Sequence, residues 1–174
     1  MFGLDLLAKL LKVLRSGDTP GQIAAGFMLG MIIGLTPMFS LHNLLVVFLI
    51  IIFNVNISMA IFSFVLFSGF AYIFDPLFHS FGYFLLVDIT SLKGFYTTLY
   101  NVPIIALSKF NNTVVMGSLI SSLLLMPVIY FFMKKFVIVY RTNLEPKVQK
   151  LKIVQSLKAS KLFNFYEKVR DWRN

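Results

Sequence analysis

Apolar and polar positions in this chain alternate on the scale of whole helices rather than single turns. Residues 20–54 contain no Lys, Arg, Asp or Glu, a run longer than the roughly 20 residues that carry a helix across a hydrocarbon core. Pro37 interrupts it near the middle. About sixteen helical residues precede that proline, roughly 24 Å at 1.5 Å per residue and short of a core of roughly 30 Å. The pattern predicts two short helices joined at a Pro-containing tip. Either both are short full spans with the tip near the far interface, or they form a re-entrant hairpin whose tip must be covered by protein or a watery cavity. Ser40, His42 and Asn43 are the polar groups placed to satisfy the tip. Asn54-Val55-Asn56 reads as a turn, and a second apolar stretch over 57–87 is expected to break at Asp75-Pro76 as a second broken hairpin. Residues 88–112 are mixed and read as an outer loop with Tyr96 and Tyr100 at head-group level. Residues 113–133 form the cleanest single transmembrane helix, with Pro127 inside it and Lys134-Lys135 at its end.

The flanks differ in kind. Over 1–17, Asp5, Lys9, Lys12 and Arg15 share one side of a helix while Leu4, Leu7, Leu11 and Leu14 share the other, which predicts an amphipathic helix at a membrane interface. Gly17 closes that helix, Asp18 or Thr19 caps the next, and Pro20 suits its first turn. The segment 134–174 holds eleven Lys and Arg against Glu145, Glu167 and Asp171, so it reads as a basic cytoplasmic tail with a second amphipathic helix. Lys9, Lys12, Arg15, Lys134 and Lys135 are the expected head-group contacts. With both termini cytoplasmic, the number of crossings is even. Four spans (20–36, 38–54, 57–74 and 113–133) satisfy this, and so do two spans with 20–54 re-entrant.

Composition strengthens this reading. Hydrophobic residues make up 58% of the 174 residues and charged ones 13%, with a mean hydropathy of +0.83, outside the usual range of soluble domains. The predicted class is an all-α integral membrane protein of Pro-broken hairpins and one clean span, flanked by amphipathic basic helices. The net charge of +9 sits at the ends, because no Lys or Arg occurs between Arg15 and Lys93; that distribution argues against a nucleic-acid surface. The absence of Cys excludes disulfides and thiol chemistry. No nucleophile elbow, phosphate-binding glycine loop or acid pair is present, so no enzyme activity and no cofactor are expected.

The residues that invite a function are few. Gly26, Gly30 and Gly34 repeat every four positions and make a stripe of bare backbone, either a helix contact or a groove for a lipid or partner, together with Pro37, His42 and Asn43. Asp75, Pro76 and His79 form the second polar break. Asp75 reads as a turn or cap, as a coupling carboxylate, or with His79 and His42 as a sparse metal set whose spacing does not suit a metal. An offset of 39 residues pairs Gly30 with Gly69, Pro37 with Pro76 and Phe39 with Phe78, which suggests a repeat of the kind found in transporters.

The run GFMLGMIIGLTPMFSLHNLLVVFLIIIFNVNISMAIFSFVLFSGF, followed by DPLFHSFGYFLL, resembles a bacterial inner-membrane domain family of unknown function over about residues 20–88. Gly26, Gly30 and Gly34 match its glycine segment, Pro37 its tip, and Asn54 or Asn56 its turn. Ser40 and Asp75-Pro76 stand where its members commonly have Gly and Asn-Pro. The resemblance implies the inner membrane, and the joining of some relatives to glycosyltransferases or to lipid-bridge envelope proteins implies handling of lipids or lipid-linked glycans. The expected function is non-enzymatic: a lipid-binding subunit or membrane anchor of an envelope lipid-transport machine, bound to phospholipid and to a lipid-bridge partner or a second copy. The alternative is a small proton- or ion-coupled transporter built from two Pro-broken repeats.

Overall fold

In a computed structural model the described residues are 13, 14 and 17–144. They are helical, with no strand among them. The predicted helix over 1–17, apart from residues 13, 14 and 17, and the predicted tail over 134–174, beyond residue 144, lie outside the described residues. The chain divides into two units, 18–134 and 1–17 with 135–174. In the second unit Leu14, Val137 and Tyr140 are buried, and Arg141 Nε donates to the Leu14 carbonyl at 2.8 Å.

The first unit is built on three successive helices: α1 (Pro20–Leu35), α2 (Leu41–Ile52) and α3 (Ile57–Tyr83). Thr19 and Gln22 start α1 with a reciprocal capping box: Thr19 Oγ1 accepts from the Gln22 amide at 3.2 Å, and Gln22 Oε1 accepts from the Thr19 amide at 2.8 Å. Pro20 occupies the first turn, where its missing N–H is harmless. The same end is tied to the α2–α3 turn. Gln22 Nε2 donates to the Asn54 carbonyl at 3.1 Å, the Asn56 amide to the Gln22 carbonyl at 3.2 Å, and Asn56 Nδ2 to Asp18 Oδ2 at 2.5 Å. Asn54 makes the turn with a φ of 49°, a left-handed conformation that asparagine tolerates, and Asn56 caps α3 through the Met59 amide.

Helix α1 is the interior of this unit; none of its residues is exposed. Its glycine stripe lies on α3. A Cβ at Gly26 would overlap the Asn56 carbonyl, one at Gly30 the Ala60 carbonyl, and one at Gly34 would stand 2.8 Å from the Phe64 carbonyl. The constant offset of 30 residues makes α1 and α3 parallel neighbours in van der Waals contact through bare backbone. Ser63, fully buried, donates to the Phe27 carbonyl at 2.5 Å across the same seam. Only one face of α2, at Asn43, Val46 and Ile50, is buried; Leu44, Phe48 and Ile51 face outwards.

Helix α3 runs unbroken through Pro76, which corrects the expected second hairpin. Continuing as a π-helical turn over Phe84–Asp88, it makes a single apolar element of 32 residues. The supposed repeat fails with it, since the chain turns back at Pro37 and goes straight on at Pro76. Gly34 meets α3 between Phe64 and Ser68, about 18 Å from Asn56 by helical rise, and a further 30 Å or so of helix leads on to Asp88. The buried core that α1 shares with α3 extends to Phe78, so the α1–α2 hairpin stops short of the Asp88 end.

Residues 88–112, expected as an outer loop, are more regular than a loop, with a 3-10 turn at Thr90–Leu92, α4 at Lys93–Tyr100 and α5 at Pro103–Ala106. Thr97 and Thr98 hydroxyls bond back to the Lys93 and Gly94 carbonyls, and Tyr96 and Tyr100 pack on Phe110 with ring centroids 6.3 and 6.4 Å apart. Helix α6 (Thr113–Val139) then returns antiparallel to α3. A Cβ at Gly117 would overlap the Phe78 carbonyl and one at Gly82 the Thr113 carbonyl. At its other end Tyr130 Oη stands 3.4 Å from the Cβ position of Gly21, so residues 18–22 and 130 share one end of the unit. The helix passes Lys134-Lys135, beyond the expected end at 133, because no Gly or Pro interrupts the sequence there.

Candidate functional site

The tip of the α1–α2 hairpin is a closed polar knot. Thr36 ends α1 with an extended backbone, and its hydroxyl lies 2.8 Å from the Ile32 carbonyl and 2.9 Å from Asn43 Oδ1. Asn43 Nδ2 donates to the Pro37 and Met38 carbonyls at 3.0 and 3.3 Å, and Ser40 Oγ donates to the Pro37 carbonyl at 2.5 Å. Thr36, Ser40 and Asn43 are buried. Carbonyls released where the helix ends are thus bonded by side chains close by in the sequence, so the irregular backbone of the tip keeps them paired. Ser40 and Asn43 act as the sequence suggests. His42 does not join them, and its Nε2 is buried without a hydrogen-bond partner among the described residues. The tip also presents Met38 and Phe39 outwards, Phe39 being 91% exposed.

Gly26, Gly30 and Gly34 are not an open groove. Their stripe is filled by α3, so the helix-contact reading holds and a ligand has no room there. Pro37 is exposed at the tip, apart from them. Asp75 neither caps nor turns a helix: it lies in the interior of α3, half-buried, with no hydrogen bond or ion pair among the described residues. His79, one turn on, is exposed, and its Nδ1 is 2.7 Å from Thr113 Oγ1 at the start of α6. No group of three His, Asp or Glu that could hold a metal occurs among the described residues, so His42, Asp75 and His79 are not assembled as ligands. Lys134 and Lys135 are exposed, with Lys134 Nζ 5.9 Å from the Tyr130 ring centroid; Lys9, Lys12 and Arg15 fall outside the described residues.

Residues 6–144 match the family described as "Uncharacterized protein conserved in bacteria (DUF2062)". The chain belongs to this family. It is also similar to an "Uncharacterized protein" of Treponema pallidum (strain Nichols), 29% identical over 142 residues that span 82% of this chain and 87% of the relative. No solved structure matches. The DUF2062 match covers the hairpin, α3 and α6 together, so the parts that meet in the fold fall inside one family domain.

Two features of this DUF2062 chain escape a reading of the sequence alone. The Gly82–Gly117 crossing has a local signal, Gly117 with Ser118, Ser121 and Ser122 after it, small residues at helical spacing. The second is a stripe of polar side chains on α3. Tyr72, Asp75, His79 and Tyr83 recur at spacings of three, four and four, and so share one helix face. A different face carries Phe67, Phe70, Phe74 and Phe78, with successive centroids 6.0, 6.4 and 6.2 Å apart. Expecting a break at Pro76 hides this stripe, because a broken helix has no common face.

Proposed function

We propose that this protein is a non-enzymatic, multi-pass protein of the bacterial inner membrane that aids movement of envelope lipids or lipid-linked glycans, as a lipid-binding subunit or as the membrane anchor of a larger machine. Helices α3 and α6, with their π-helical ends, are long and apolar enough to cross a membrane, and their large exposed Leu, Ile, Val and Phe side chains favour a hydrocarbon surround. In that setting α1 and α2 form a re-entrant hairpin entering from the side of the Asn54 turn. The carrying observation is the hairpin's reach: Gly34, near its tip, meets α3 between Phe64 and Ser68, and the buried core that α1 shares with α3 extends along α3 to Phe78. Beyond Phe78 the last turns of α3 continue without it, which leaves a step at the hairpin's tip where a lipid can depart from its ordinary packing.

Basic residues at the ends hold the chain to anionic head groups in this reading. The alternative of a coupled transporter loses its repeat and keeps only Asp75. Native mass spectrometry of the full chain released from lipid nanodiscs tests the proposal. Defined phospholipid or polyprenyl-lipid adducts, or a co-released envelope partner, are expected; a lipid-free and partner-free chain would count against it.

A further inference from the structure

We infer that the stripe Tyr72–Asp75–His79–Tyr83 on α3 is a binding track for the head group of an amine-bearing phospholipid of the phosphatidylethanolamine class. This inference rests on the membrane and lipid-handling reading above. The stripe occupies α3 beyond the level where Gly34 meets it, and so runs from the hairpin tip towards the Asp88 end. Tyr72 is 86% and Tyr83 47% exposed, His79 is exposed and Asp75 half-buried. Polar side chains here face away from the phenylalanine ladder, on a surface otherwise apolar. In a bilayer, ionisable groups so placed are costly and call for a partner.

Charge selects that partner. Asp75 has no hydrogen bond or ion pair among the described residues, and the sequence offers no Lys or Arg between Arg15 and Lys93. A primary ammonium answers a carboxylate with a charge-assisted hydrogen bond. His79 stands one turn away, roughly 6 Å along the same face, with Nδ1 engaged by Thr113 and Nε2 left for a ligand. An ethanolamine phosphodiester carries an ammonium and a phosphate two carbons apart, which suits Asp75 for the first and His79 Nε2 for the second. Tyrosine hydroxyls above and below continue the polar line. A second copy of this chain is a poorer occupant, since it brings the same carboxylate. An anionic phosphoglycerol head group is repelled by Asp75.

The test reconstitutes the full chain in phosphatidylcholine vesicles containing a trace of phosphatidylethanolamine or phosphatidylglycerol, each labelled on an acyl chain so that the head group is intact. Transfer between leaflets is read by chemical quenching of the outer label. The wild-type chain is expected to move the ethanolamine lipid faster, and Asp75→Asn to slow it by about tenfold while leaving the glycerol lipid unaffected or faster. Asp75→Glu, which keeps the charge, should keep the preference, and it decides the matter if Asp75→Asn does not fold. An unchanged ratio of the two rates in Asp75→Asn, or a lost preference in Asp75→Glu, overturns the track while leaving lipid handling intact. Transfer of neither lipid by the wild-type chain overturns the track, and the lipid-handling reading then falls only if native mass spectrometry also finds neither lipid nor partner. A changed oligomeric state in Asp75→Asn with the ethanolamine preference retained would assign the stripe to a second copy instead.

Discussion

Pro37 and Pro76 sit in similar surroundings, Thr-Pro-Met-Phe and Asp-Pro-Leu-Phe within long apolar runs, yet the chain reverses at one and continues at the other. The difference lies in the polar side chains downstream of each proline. After Pro37 come Ser40 and Asn43, which with Thr36 bond the carbonyls of Ile32, Pro37 and Met38. Around Pro76, among the described residues, only the Ser80 hydroxyl reaches back, to the Pro76 carbonyl at 3.0 Å, and it does so within the helix. A proline removes one helical hydrogen bond and crowds the preceding turn. It ends a helix in an apolar setting only when nearby side chains can bond the several carbonyls a termination exposes. Where they are missing, losing one bond is less unfavourable than losing several.

Packing reinforces the contrast. The glycines before Pro37 hold α1 on α3 and stop with Gly34, so the hairpin's length is set by the seam as well as by its tip. Gly30→Leu tests the seam and carries the largest expected effect: a side chain in place of the Ala60 carbonyl contact should destabilise the unit by about 3 kcal/mol or more, seen as loss of a folded, monodisperse species in mild detergent. Gly117→Leu strikes the second crossing, at the Phe78 carbonyl. A loss of about 3 kcal/mol is expected there too, with α6 separating from α3 in distance measurements between spin labels while α1 stays docked. If either variant is as stable as wild type, the corresponding helix contact is wrong.

Asn43→Leu tests the knot without touching the seam. Its side chain serves the Pro37 and Met38 carbonyls and the Thr36 hydroxyl, and leaving buried carbonyls unbonded should be destabilising by about 2–3 kcal/mol, read from thermal unfolding in micelles. Pro76→Ala is the least disruptive change. It restores a helical donor and relieves the crowded turn on an element that is already helical, so stability should be unchanged or raised, by up to about 3 kcal/mol. A large loss would mean that α3 is bent at Pro76 for a purpose the hydrogen bonds do not reveal.

Much of the hairpin is legible in the sequence because its rules are local. Asp18 or Thr19 reads as a cap, Pro20 as a first turn, Asn54-Val55-Asn56 as a turn, and Ser40 and Asn43 are recognisable as groups for the tip. The glycine spacing announces a helix seam but not the partner, which emerges from the offset between Gly30 and Ala60 on another helix. Asp75 reads wrongly as a cap or turn for the same reason that α3 reads as broken: a proline signals a break from neighbours alone, while the absence of a terminating knot emerges only from counting bonds in the fold. Gly82 gives little signal because its partner, Gly117, lies across the segment 88–112.

The depth to which the hairpin enters the membrane decides between a step and a pair of full spans. The chain contains no Cys, so single spin labels at Phe39→Cys, Asn54→Cys, Ile73→Cys and Val87→Cys in liposomes, all exposed positions, can be ranked by their relative accessibility to oxygen and to a water-soluble relaxant. Phe39 is expected deep in the hydrocarbon, near the depth of Ile73 and well below the interfacial depths of Asn54 and Val87. A label at Phe39 that sits at head-group depth on the side of Val87 would make the hairpin a pair of full spans and contradict the half-depth step on which the proposed function rests.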